Sequence, residues 1–115
     1  MRILKWHVYA ADLNPRFGTE PGKLRPVIVI QTNLLNEVEH PSTLICPTTT
    51  KIQPKSKWLR IHLAKQEAGL DSPSDILVDQ IRAIDNRRFK KLLGEIHRPN
   101  KLALIESLKV IFDLE

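Results

Sequence analysis

The sequence predicts a mainly β protein, a small barrel-like sheet with short helices and one closing helix at its C-terminus. Three observations carry that reading. Short stretches rich in strand formers recur along the chain, at Val8 to Leu13, Val27 to Gln31, Thr43 to Thr49, Trp58 to Leu63 and Asp75 to Ala83. Eight prolines punctuate them, which favours tight turns over long helices. Helical patterning is confined to Ala64 to Leu70, Asn86 to Leu93 and Lys101 to about Phe112. With 115 residues, 42% of them hydrophobic, and one composition throughout, residues 1–115 form a single domain around one modest core.

The first strand, Val8 to Leu13, alternates weakly and stops at the turn pair Asn14-Pro15. Arg16 to Leu24 is a loop crowded with charge. Val27 to Ile30 is an unbroken apolar run, which asks for burial on both faces. Pro26 fits the first residue of that strand, where a missing N–H costs least, and it biases Arg25 towards extended backbone. Asn33 to Ser42 reads as a polar connection. In the third strand, Thr43 to Thr49, Pro47 places the strand end at an edge or bulge.

Lys51 to Lys57 is a basic loop, by default a solvated, mobile hairpin. Trp58 to Leu63 alternates, with Leu59, Ile61 and Leu63 on one face and Trp58, Arg60 and His62 on the other. Ala64 to Leu70 forms a single helical turn before Asp71-Ser72-Pro73-Ser74 turns the chain. Asp75 to Ala83 is one further strand. Asp85 is an N-cap for a short helix, Asn86 to Leu93, stopped by Gly94. Asn100 caps the last helix, whose Leu104, Ile105, Leu108, Ile111 and Phe112 form a core-facing stripe.

Eighteen Lys and Arg against thirteen Asp and Glu leave a net charge of +5, which suits a polyanionic partner. A single cysteine, Cys46, excludes an internal disulfide and a cysteine-based metal cluster; within Leu44-Ile45-Cys46 it reads as a buried thiol. His7, His40, His62 and His97 are scattered, and their spacing suggests neither a catalytic histidine pair nor a zinc site. No segment approaches the roughly 20 apolar residues of a membrane span. The N-terminal apolar run is broken by Lys5 and His7 and is no signal peptide, so a cytoplasmic protein without a membrane partner is expected.

Gly18 to Gln31, GTEPGKLRPVIVIQ, joins the charged loop to the stiffest strand, an arrangement that holds side chains in a fixed pose. With Asp12 and Pro15 upstream, it resembles the MazF/PemK toxin family, small bacterial endoribonucleases also called mRNA interferases. That family reads Asp-x-x-Pro, then Gly-Ser/Thr-Glu-x-Gly-x-x-Arg-Pro, then an apolar strand. Asp12, Pro15, Gly18, Thr19, Glu20, Gly22, Arg25 and Pro26 fall in place. The similarity continues at Pro47 to Thr50 and in DILVDQIRAID, Asp75 to Asp85. It departs at Trp6-His7, where the family introduces its first strand with Gly-Asp or Gly-Glu.

The resemblance implies an SH3-like small β-barrel of the MazF/PemK/CcdB kind, a homodimer, and a groove for single-stranded RNA. It implies cleavage at a short sequence, leaving a cyclic phosphate and a 5′-OH, with no metal or other cofactor. It also implies an acidic antitoxin whose tail fills the same groove. Two alternatives stay open, because a fold does not fix an activity: a non-catalytic toxin of this fold that binds DNA gyrase, and a basic nucleic-acid-binding module.

Cutting RNA without a metal requires removal of the 2′-OH proton, positive charge on the pentavalent phosphate, and a proton for the departing 5′ oxygen. Arg25 is the candidate for the charge, since a guanidinium fork matches phosphate oxygens and stays protonated. The family's catalytic hydroxyl falls on Thr49, with Thr48 and Thr50 as alternatives one residue to either side. Glu20 either orients Arg25, accepts a proton, or merely pairs with Lys23 or Arg25. Lys23, Lys51, Lys55, Lys57 and Arg82 are expected phosphate contacts, with Thr48, Thr50 and Gln80 completing the RNA-binding set. Trp58 either stacks on a base or belongs to the core.

Overall fold

In the computed structural model, which describes residues 1–115, the apolar run after Pro26 becomes strand β2 (Leu24–Val29) and is buried on both faces. Val27 and Val29 enter one core with Tyr9, Ile45 and Phe89; Ile28 enters the other with Val8, Cys46, Ile76 and Leu104. Two-sided burial is why this run shows no polar alternation. Pro26 lies third in the strand, opposite Ala10, rather than first.

The other strands are β1 (His7–Asp12), β3 (Ser42–Thr49), β4 (Arg60–Leu63), β5 (Ser74–Leu77), β6 (Arg82–Asp85) and β7 (Phe89–Glu95). They pair antiparallel along the path β4-β5-β3-β2-β1-β7, with β6 also beside β3. The end strands β4 and β7 do not pair with each other, so the barrel stays open along one seam. There helix α2 (Arg98–Phe112) packs on β4, and a 3-10 turn, Glu67–Gly69, packs on β7. The mainly β architecture with a C-terminal helix is the expected one. No helix is long and apolar enough to cross a membrane.

β3 is the shared strand. One edge carries β2; the other carries β6 along Ser42 to Ile45 and then β5 at Thr48 and Thr49. The Leu44 carbonyl accepts from Ile30 on the β2 side, so strand alternation directs the Pro47 nitrogen to the opposite edge. Pro47 therefore occupies the gap between β6 and β5, where no neighbour needs its missing N–H, and it interrupts a ladder rather than ending the strand.

Several expected boundaries differ. Asp75 to Ala83 is two strands, because a 3-10 turn at Val78–Gln80 lets β5 and β6 reach different parts of β3. Asp85 does cap, accepting from the Arg87 N–H at 2.8 Å, but only a 3-10 turn, Asn86–Arg88. The segment expected to be helical is instead β7, paired with β1. Gly94 stops no helix. It lies where β7 crosses the Glu67–Gly69 turn: a Cβ on Gly94 would sit 2.7 Å from the Ala68 carbonyl carbon, and one on Gly69 only 2.2 Å from the Leu93 oxygen.

The polar connection contains a short helix, α1 (Asn33–Glu37), capped by the Thr32 hydroxyl, which accepts from the Leu34 N–H at 3.2 Å. The last helix starts at Arg98 with His97 at the N-cap, not Asn100. Asn100 instead donates to the buried Glu67 carboxylate at 2.8 and 2.9 Å, and the His97 N–H donates to it at 3.0 Å. An anion is thereby fixed where the helix dipole favours one. Leu104 is fully buried and Leu108 and Ile111 pack against the same core, but Phe112 is exposed.

Two single residues stand out. Cys46 is buried in β3 as expected, and burial, reinforced by the charge of Asp79, pushes its thiol up to about 12. Trp6, where the resembling family has glycine, holds the left-handed backbone angle φ 70°, a genuine outlier for a bulky residue. It is pinned by its N–H donating to the Val29 carbonyl at 2.9 Å and its own carbonyl accepting from Ile96 at 3.1 Å. Its ring packs on the larger core under Lys5.

Candidate functional site

The charged loop between β1 and β2 is closed at its base. The Leu13 N–H donates to the Lys23 carbonyl at 2.9 Å, and the Lys23 N–H donates to the Asn14 side-chain oxygen at 2.8 Å. Arg88 reaches from the 3-10 turn before β7 to the carbonyls of Asp12, at 2.8 Å, and Asn14. The two arms of the loop meet at Gly22, where a Cβ would lie 2.6 Å from the Arg16 Cβ and 3.0 Å from the Asn14 side-chain oxygen. Only glycine fits that approach.

Arg25 leaves β2 beneath this loop. Its Nε donates to the Gly22 carbonyl at 2.8 Å and its Nη1 to the Thr48 carbonyl on β3 at 3.0 Å, so the guanidinium is fixed from two elements. Partial burial, and then the charge of Arg16, lower its pKa from the usual arginine value.

The three threonines separate by environment. Thr48 is buried and its hydroxyl donates to the Pro26 carbonyl at 2.8 Å, a structural bond between β3 and β2. Thr49 is half-buried, and its oxygen accepts from the Lys51 N–H at 3.2 Å, which leaves its hydrogen free to donate. Thr50 is exposed.

These residues line one groove of about 720 Å³. Of the expected site residues it gathers Glu20, Lys23, Arg25, Thr48, Thr49, Thr50 and Lys51, and it adds Arg16, Gln53, Arg60 and Asp71. Cations predominate on its walls. Gln80 lines an adjoining recess that shares Thr19, Gln53, Arg60 and Leu77 with the groove. Arg82 lines neither space; it stands behind Glu20, 3.8 Å from its carboxylate. Glu20 thus has Arg82 as its ion-pair partner, not Lys23 or Arg25. Lys55 and Lys57 are exposed on the β3–β4 loop outside the groove lining, and Trp58 is 55% exposed rather than a core residue. Trp6 is also absent from the groove.

Sequence reasoning missed a charged cluster. The Asp75 side chain is fully buried, and its carboxylate accepts from the Gln53 N–H at 2.8 Å, Arg60 Nη1 at 3.1 Å and His62 Nδ1 at 2.6 Å. Burial works to raise its pKa, but the Gln53, His62 and Arg60 contacts outweigh it and hold the carboxyl below its usual value. The only sequence signal was the shared polar face of Arg60 and His62. Their partner is set by the β4–β5 register, which places His62 opposite Asp75.

Residues 4–112 match the profile of the PemK-like, MazF-like toxins of type II toxin–antitoxin systems. The chain belongs to this family. Among solved structures it is similar to MazF from Deinococcus radiodurans, with a TM-score of 0.78 and 23% identity over 96% of each chain. It is also similar to the Mycobacterium tuberculosis toxin MazF-mt6, with a TM-score of 0.77 and 20% identity over 95% of this chain and 98% of that one. A mycobacterial endoribonuclease solved in complex with its cognate antitoxin is similar at a TM-score of 0.73 and 17% identity, over 99% of this chain and 96% of that one. In this MazF-like fold the motif residues Thr19 to Pro26 and the corner residues Thr48 to Thr50 face a common groove.

Proposed function

We propose that the protein is a toxin-type endoribonuclease that cuts single-stranded RNA at a short sequence in this groove. The observation that carries the reading is Arg25. Two of its five N–H donors are engaged by the Gly22 and Thr48 carbonyls, so the guanidinium is oriented while its other donors stay available for phosphate oxygens. Because Glu20 pairs with Arg82, no carboxylate neutralises Arg25.

In the proposed reaction the 2′-OH attacks the adjacent phosphorus in line with the bond to the 5′ oxygen. That bond breaks, leaving a 2′,3′-cyclic phosphate and a 5′-OH; one proton leaves the 2′ oxygen for a base, and solvent water supplies one to the 5′ oxygen. Arg25 stabilises the charge on the five-coordinate phosphorus, and the free hydrogen of the Thr49 hydroxyl donates to the same oxygens. Glu20, on the loop above Arg25, takes the 2′-OH proton. Lys23, Lys51 and Arg16 hold flanking phosphates without reading bases. No three His, Cys, Asp or Glu side chains converge to hold a metal ion, and the scheme uses none.

The working unit is a homodimer in a cytoplasmic setting, and the natural inhibitor is an antitoxin with an acidic, flexible segment. The cationic groove supports that partner by charge, and the mycobacterial relative was solved with its own antitoxin. RNA and antitoxin then exclude each other. The test is to incubate a long single-stranded RNA with the protein in EDTA and map the new 5′ ends. Cleavage at a recurring short sequence with cyclic-phosphate products is expected. Strict dependence on added Mg²⁺ would overturn the mechanism, and salt-sensitive RNA binding without cutting would favour the binding-module reading.

A further inference from the structure

The loop between β3 and β4, residues 50–59, supplies Thr50, Lys51 and Gln53 to the groove and Ser56 and Leu59 to the recess beside it. It contains no helix or strand, and most of it is exposed. Three of its backbone groups are nevertheless gripped from the sheet below. Arg60 Nη1 donates to the Lys51 carbonyl at 3.0 Å, the Asp75 carboxylate accepts from the Gln53 N–H at 2.8 Å, and His62 Nε2, 3.1 Å from the Ser56 carbonyl, donates to it when both ring nitrogens carry a hydrogen. Arg60 and His62 are in turn held by Asp75.

The geometry points to Asp75 as a positioning residue: through Arg60 and His62 it fixes the β3–β4 loop as a wall of the RNA groove. The inference rests on the proposed function for what the groove binds. Asp75 touches no substrate, since its side chain is fully buried and outside the groove lining. Its action is on the loop backbone. A fully buried carboxylate is costly unless it is paired and hydrogen-bonded, and here three donors hold it, two of them on side chains that extend the grip to the loop. The anchored positions, 51, 53 and 56, are spaced along the loop, so the grip fixes a surface rather than one end. RNA then binds a wall already in place, without having to order it.

Two variants test this. Asp75→Asn keeps the volume but replaces an acceptor oxygen with an amide donor that faces other donors. His62→Ala removes a side chain that is 43% exposed, so folding is retained, and cuts the link to Ser56. Hydrogen exchange without RNA reports the loop directly: exchange across residues 50–59 should rise by about tenfold or more in both variants while β1 and β2 amides stay protected. With single-stranded RNA, KM should rise about tenfold with kcat within about twofold, the split expected when uniform binding is lost.

Affinity for a 2′-O-methyl oligonucleotide, which cannot be cut, should fall in parallel. Unchanged loop exchange in His62→Ala, or a fall in kcat with KM intact, would overturn the inference. A wild-type protein that cuts no RNA would refute the site reading alone; loop exchange and oligonucleotide affinity would still decide whether Asp75 holds the wall.

Discussion

On one side of the groove, the β1–β2 loop is tied by its own backbone, by the Asn14 amide, by close contact at Gly22, and by arginines donating to carbonyls. No buried carboxylate takes part. On the other side, the β3–β4 loop is tied to a buried Asp75 through an arginine and a histidine. The first wall is held mostly by shape, backbone bonds and arginines, and its carboxylates, Asp12 accepting from the Asn14 N–H at 3.0 Å and Glu20 beside Arg82, are not fully buried; the second hangs on one fully buried carboxylate keeping its charge. Wall chemistry therefore determines which side yields to acid and which to a change of volume.

The largest expected effect comes from the residue that joins the two sides. Arg25→Ala should lower the cleavage rate by about 10²–10³-fold or more in single-turnover assays, the scale of losing one oriented donor to a developing anion. The far-ultraviolet circular dichroism spectrum should remain native. Arg25→Lys should restore little, because a point charge cannot reproduce the fork that binds Gly22, Thr48 and phosphate together.

Next come the threonines. Thr49→Ala should cost roughly tenfold to a hundredfold in rate with unchanged stability. Thr48→Ala should do the reverse, lowering stability by about 1 kcal/mol through the lost bond to Pro26 while kcat changes little. If Thr48→Ala or Thr50→Ala damages catalysis and Thr49→Ala does not, the assigned hydroxyl is wrong.

Gly22→Ala strikes the first wall and, through the Gly22 carbonyl, Arg25. The added methyl has nowhere to go, and overpacking of this kind costs about 1–3 kcal/mol. A lower Tm and faster amide exchange at residues 13–24, with residues 50–59 unaffected, would separate the walls.

The smallest effect is the acid response. The Asp75 pKa is lowered in the folded protein, so its contribution to stability is present above the ordinary carboxylate value of 3.8 and is lost as pH falls through the folded value. Acidification below about pH 4 should loosen residues 50–59 before residues 13–24 by hydrogen exchange. Simultaneous loosening would erase the distinction between the walls.

Much of the fold was legible because its signals are local. The Val27 to Ile30 run, the alternation at Ile61 and Leu63, and the Leu104, Leu108 and Ile111 spacing each report burial directly. β7 was not legible. Phe89, Leu92 and Leu93 fall at helical spacing, while two register shifts against β1 remove the alternation a strand would show, and Leu92 ends up half exposed. α1 is five residues long, too short for a period.

The site divides in the same way. Arg25 and the threonines sit in contiguous motifs and could be read from the residues around them. Arg60, His62 and Asp75 meet only through the pairing of two strands, and Glu20 finds Arg82 across a distance of sixty-odd residues, which sequence spacing cannot convey.

Cys46 turns the shared strand into a clock. As the one thiol in the chain, it lies between Ile45 and Pro47 with no access to solvent, and in the native state it is held protonated. A thiol reagent can modify it only when β3 parts from its neighbours, so the labelling rate counts how often the strand carrying Thr48 and Thr49 opens. Bound RNA or a bound inhibitor should slow that count in proportion to occupancy, which lets a single native cysteine report on the groove without touching it.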